Sequence, residues 1–101
     1  MPNIVRLASL SELSQEKIKI ASTPGKEIAL FSVGGKVYAL DNACPHAGFP
    51  LGEGEISGEW VICPGHSFYY GLKTGECQGD PNIKVACFEV LLEGDDVKIV
   101  L

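Results

Sequence analysis

Two cysteine–histidine pairs constrain this chain more than any other feature. Cys44-Pro45-His46 and Cys63-Pro64-Gly65-His66 are separated by sixteen residues and contain both histidines of the sequence. Thiolate and neutral imidazole are side chains that bind iron and zinc well at neutral pH. Each pair sits in loop-forming sequence, so two loops can each present one sulfur and one nitrogen to a shared site. Residue types alone leave three readings open: scattered buried thiols and surface imidazoles, a structural zinc site with two Cys and two His, or a [2Fe–2S] centre with two histidines on one iron. Zinc fingers group cysteine with cysteine and histidine with histidine. Each cluster here is mixed, which favours iron–sulfur ligation.

The chain has 101 residues, the size of one domain spanning residues 1–101. A core of that size is marginal by itself and gains from a bound group. The 46% hydrophobic content marks a globular chain. The net charge of −5 comes without any basic run, which argues against nucleic acid and against an anionic membrane surface. An acidic surface suits a basic partner. The first residues lack a long apolar stretch and no run approaches a membrane span, so a cytoplasmic location is expected. Thiols stay reduced there, and metal ligation is the better reading for two of the four cysteines.

Read in order, the sequence predicts many short strands and almost no helix. Asn3–Leu7 reads as a strand, and Ser9-Leu10-Ser11-Glu12 as a capping box opening one helical turn. Lys17–Ile20 alternates polar and apolar residues, a half-buried strand. Thr23–Lys26 is a turn. Glu27–Val33 and Lys36–Leu40 flank Gly34-Gly35, a strong hairpin signal because a primed turn needs positive φ at both central residues. Asp41–Pro50 is the first ligand loop, and Gly52, Gly54 and Gly58 predict an irregular stretch after it. Trp60–Ile62 is a strand delivering Cys63, and Phe68–Tyr70 a strand after the second loop. Leu72–Gly75 is a turn and Gly79-Asp80-Pro81 a third loop. Ile83–Leu92 and Val97–Leu101 are strands around a Glu93–Asp96 turn. That spacing gives an all-β sandwich or barrel.

Cys44-Pro45-His46-Ala47-Gly48 and Cys63-Pro64-Gly65-His66, with Phe68 and Leu72-Lys73-Thr74-Gly75 after them, resemble the two ligand loops of Rieske-type ferredoxins. The resemblance covers nearly the whole chain. It implies a Rieske-like β sandwich or barrel carrying a small cluster-binding subdomain built from the two ligand loops. It also implies one [2Fe–2S] cluster per chain, with Cys44 and Cys63 on one iron and His46 and His66 on the other. Such ligands leave the oxidised core formally neutral, so adding an electron is easier than with four thiolates and the potential rises. Pro45 and Pro64 stiffen the loops, while Gly48 and Gly65 permit tight turns with N–H groups directed at sulfur. Pro81 resembles the proline of a third, shielding loop.

High-potential members of the family carry an extra cysteine in each loop, where this chain has Phe49 and Gly65, and a hydroxyl where it has Phe68. The resemblance therefore implies the lower-potential ferredoxin class. Gly65 also stands where ferredoxins often have Trp, leaving His66 less covered, and Gly71 where they often have Asp. Tyr70 departs the other way. It stands where ferredoxins have Phe and high-potential members have a Tyr bonded to the first cysteine's sulfur, here Cys44. A core tyrosine bonded to backbone or water is the alternative. Cys77 and Cys87 read as buried or half-buried thiols outside the cluster. The implied role is a one-electron carrier with no catalytic residue of its own. A flavoprotein reductase would supply the electron, and a terminal oxidoreductase such as an oxygenase would receive it. Lys73-Thr74-Gly75-Glu76-Cys77 with Asp80-Pro81 also resembles the small subunit of NAD(P)H-dependent assimilatory nitrite reductase. A zinc-stabilised interaction module is the third reading.

Overall fold

A computed structural model describes residues 4–23, 25–43, 50–64 and 68–100, with the side chains of residues 80 and 81 excepted. The first strand, β1 (Ile4–Ser9), runs into α1 (Leu10–Glu16). The capping box is formed: the Ser9 hydroxyl accepts the Glu12 N–H at 3.2 Å, and the Glu12 carboxylate accepts the Ser9 N–H at 3.0 Å. Lys19, and then the Ser9 N–H, hold the Glu12 carboxyl below the ordinary carboxylate range. The helix is seven residues long rather than the single turn expected. It extends because Leu13, fully buried, packs into the core.

Three antiparallel strands follow: β2 (Ile18–Thr23), β3 (Lys26–Val33) and β4 (Lys36–Asp41). Gly34 and Gly35 turn the β3–β4 hairpin with φ of 57° and 82°, the positive values the sequence required. With β10 (Cys87–Phe88) they make a four-stranded sheet ordered β10-β4-β3-β2. This sheet is a wall between two cores. Ile28 and Leu30 of β3, with Val37 and Ala39 of β4, face a cluster containing Leu13, Val97 and Ile99. Ala29 and Phe31, with Leu40, face the other way onto Leu51, Val61, Cys63, Tyr70 and Leu72. A strand buried on both faces reads as an unbroken apolar run, which is why Ile28–Phe31 does not alternate.

The second core is closed by a five-stranded sheet ordered β5 (Glu55–Ser57), β6 (Trp60–Ile62), β7 (Tyr69–Gly71), β8 (Glu76–Cys77) and β9 (Asp80–Lys84). Two expectations change here. The glycine-rich stretch after the first ligand loop is ordered: Leu51–Glu53 form a 3-10 turn and Glu55–Ser57 pair with Trp60–Ile62. The expected third loop at Gly79-Asp80-Pro81 is instead the start of β9, because Gln78-Gly79 alone makes the turn and Asp80 pairs with Cys77. Proline is tolerated there because β9 is a sheet edge.

The remaining strands, β11 (Val90–Glu93) and β12 (Asp96–Val100), join β1 in a three-stranded sheet ordered β1-β12-β11. The single strand expected over Ile83–Leu92 is therefore three pieces, one in each sheet. Between them Val85 donates to the Gly75 carbonyl at 2.8 Å and the Ala86 carbonyl accepts from Asp41 at 2.8 Å, so the backbone turns from one sheet to the next. No helix among the described residues is long and apolar enough to cross a membrane.

Candidate cofactor site

Of the four expected ligands, Cys63 is described; Cys44, His46 and His66 lie outside the described residues, as do Gly48 and Gly65. What the structure shows is how both ligand loops are fastened. Ala43 and Pro50, on either side of residues 44–49, form an isolated antiparallel bridge. The second loop leaves and returns between Cys63 and Phe68, where the Cys63 N–H donates to the Phe68 carbonyl at 2.8 Å. Both loops are therefore pinched at their necks.

The two necks are tied together by residues 50–54. The Leu51 N–H donates to the Asn42 carbonyl at 2.7 Å, and the Gly54 N–H to the Leu51 carbonyl at 3.0 Å. Gly54 then presses against the backbone one residue before Cys63: a Cβ placed on it would overlap the Ile62 carbonyl oxygen. Glu55 pairs directly with Ile62. Asn42, missed in the sequence, is buried at 3% exposure beside this tie. A single Asn before a ligand loop gives no sequence signal that distinguishes it from turn chemistry.

Cys63 has no exposed surface and sits in the second core with Leu40, Leu51, Val61 and Tyr70. An open cleft of about 460 Å³ lies against it, lined by Glu53, Gly54, Glu55, Ile62, Pro64 and Tyr69. Two exposed carboxylates, Glu53 and Glu55, thus stand beside Cys63. A loop neck closing on a buried thiol, tied to a second neck that precedes Cys-x-His, is an arrangement that fits a centre shared between two loops.

The family model for the Rieske [2Fe–2S] domain matches residues 3–89. The chain belongs to the Rieske [2Fe–2S] family. The group that defines this family is a [2Fe–2S] cluster. Relatives include the ferredoxin component of the naphthalene 1,2-dioxygenase system of Pseudomonas aeruginosa, 33% identical over 96 residues, covering 92% of this chain and 90% of the relative. The ferredoxin of carbazole 1,9a-dioxygenase from Nocardioides aromaticivorans IC177 superposes with a TM-score of 0.86 at 27% identity, over 96% of each chain. A candidate small subunit of an NADH-dependent nitrite reductase from Mycobacterium tuberculosis superposes at 0.90 with 18% identity, over 100% of this chain and 96% of that one. At that identity the likeness is one of fold.

Other expected residues of the Rieske site are placed as follows. Tyr70 is fully buried in the Cys63 core, and Phe68 packs against it. No buried side-chain nitrogen or oxygen among the described residues lacks a hydrogen-bond partner. Tyr69, half-buried, lines the cleft beside Cys63. The side chain of Pro81 lies outside the described residues. No disulfide joins Cys77 and Cys87: Cys77 is buried on β8, and Cys87, on β10, is exposed rather than half-buried as expected.

If the Tyr70 hydroxyl donates to a cluster sulfur, it stabilises the more negative, reduced state. One hydrogen bond contributes about 1 kcal/mol, roughly 40–50 mV for a one-electron couple. Tyr70→Phe is expected to lower the midpoint potential by that amount, while Tyr38→Phe, against the same core, leaves it unchanged. A midpoint that moves by less than about 10 mV in Tyr70→Phe rejects the bond.

Proposed function

We propose that this chain is a one-electron carrier of an oxygenase system. A flavoprotein reductase supplies its electron and a terminal oxygenase receives it. Cys44, His46, Cys63 and His66 would hold the cluster. The cluster supplies a one-electron couple in the roughly −150 to +300 mV range of Rieske centres. The protein's own part is to hold two loops at a fixed separation, exclude water from the Cys63 side, and offer a surface to each partner in turn. The observation that carries the reading is the identity of 33% to a dioxygenase ferredoxin component across 92% of this chain. The fastened neck at Cys63 supports it. The acidic cleft there suits brief ionic docking, where charge sets the on-rate more than the affinity.

The expected result is a midpoint potential that is negative at pH 7, near the low end of that range, and that falls further at alkaline pH as imidazole protons are lost. With NADH, a flavoprotein reductase and a terminal oxygenase, the protein should raise oxygenase turnover in a saturable, salt-sensitive way. A positive midpoint, or turnover indifferent to added protein with every partner pair tried, contradicts the reading. A stoichiometric large subunit recovered with the protein would instead favour the nitrite reductase subunit role, to which the Lys73–Cys77 stretch bears a resemblance.

A further inference from the structure

We infer that Asn42 is a positioning residue for the cluster: its side chain fixes the first ligand loop to the tie that carries the second. The inference rests on the assignment of Cys44 and His46 as ligands. Asn42 is the buried polar side chain of the described residues. Its Oδ1 accepts the Gly52 N–H at 2.8 Å and its Nδ2 donates to Glu27 Oε1 at 3.4 Å. Its backbone makes two more bonds, donating to the Glu27 carbonyl at 3.0 Å and accepting from Leu51 at 2.7 Å. One residue therefore joins β3, the neck of the first loop and the 3-10 turn, two positions before Cys44.

The side-chain bonds do what the backbone bonds cannot. The Leu51 bond and the Ala43–Pro50 bridge join the neck to the 3-10 turn at its first residue. The Gly52 bond adds a contact one residue further along the turn, and so fixes its direction as well as its start. Gly52 itself has no room to move toward β2, since a Cβ there would overlap the Ile20 side chain. From Gly52 the tie continues through Gly54 to Ile62 and Cys63. The Asn42 amide thus joins the neck of the first loop to the turn that leads on to Ile62 and Cys63.

Three variants test this. Asn42→Ala removes both side-chain bonds. Asn42→Asp keeps the acceptor for Gly52 but puts a carboxylate against Glu27. Asn42→Asp with Glu27→Gln restores the pair with donor and acceptor exchanged. Val97→Ala, fully buried in the other core, controls for general loss of stability. The measurements are the rate of iron release to a chelator, the midpoint potential, the EPR line shape and the melting temperature of the cluster-free chain.

Asn42→Ala is expected to release iron about tenfold faster than wild type, with a broadened EPR signal and a shifted midpoint. The double variant is expected to recover the wild-type rate and line shape. Val97→Ala is expected to lower the melting temperature while releasing iron within about twofold of wild type. The inference is overturned if Asn42→Ala releases iron like wild type, if Val97→Ala releases it as fast as Asn42→Ala, or if the double variant shows no recovery. A wild-type chain that assembles no cluster overturns the ligand assignment as well, so the two failures are distinguishable.

Discussion

Serine at Cys63 is expected to give colourless protein with iron near zero, against about two irons and two sulfides per wild-type chain. A serine hydroxyl does not ionise near neutral pH and is a hard ligand, so it replaces thiolate poorly on iron. The structure adds a second cost. Cys63 is fully buried among Leu40, Leu51 and Val61, so exchanging its sulfur for a smaller, more polar oxygen also weakens the packing there. Colour and stability should therefore fall together. Cys87→Ser, at an exposed position on another sheet, should keep full iron. His46→Ala and His66→Ala should lose the cluster and with it the low average g of mixed ligation in the reduced EPR spectrum. Stoichiometric zinc without sulfide in wild-type protein, made anaerobically with ample iron, would reject the assignment and restore the zinc reading.

The second large effect is expected from a methyl group. Gly54 has φ of −82° and ψ of −164°, a conformation open to any residue. Its need for glycine is close approach alone: the Cβ of Gly54→Ala would overlap the Ile62 carbonyl oxygen, which is backbone and cannot swing aside. Relief requires β5 to move off β6, and Ile62 immediately precedes Cys63. Such overpacking costs about 2–3 kcal/mol. At about 4–8 °C per kcal/mol for a domain of this size, the melting temperature should drop by roughly 10–20 °C. Cluster occupancy should fall with it. A melting temperature within about 2 °C of wild type, with full iron, would show that the tie between the two necks is soft.

Much of this was legible in the sequence, for physical reasons that can be named. Gly34-Gly35 between apolar runs admits few backbone solutions, and the hairpin formed as read. Ser9 and Glu12 three residues apart satisfied each other as a capping box must. Cys63 fell at the end of a strand over Trp60–Ile62 as expected. What stayed hidden depended on partners outside the segment being read. Ile83–Leu92 has the composition of one strand, and its division among three sheets is set by backbone bonds of Val85 to Gly75 and of Ala86 to Asp41, neither of them within the segment. Glu55–Ser57 is too short and too flanked by glycine to signal a strand; its pairing with Trp60–Ile62 makes it one. Asn42 looked like an ordinary turn residue because its importance lies in a hydrogen bond ten positions ahead.

The wall formed by β3 and β4 has a consequence for how such a chain can change length. Successive residues of a strand belong to opposite sides, and here both sides are committed: Ala29 and Phe31 to the half that holds Cys63, Ile28 and Leu30 to the half that holds α1. Inserting one residue within Ile28–Phe31 would exchange the clientele of the two sides from that point to the next turn. Inserting two would restore it. Length variation in this hairpin is therefore filtered by parity. Even insertions are expected to survive selection and odd ones to be lost, or to persist only where a bulge absorbs the extra residue.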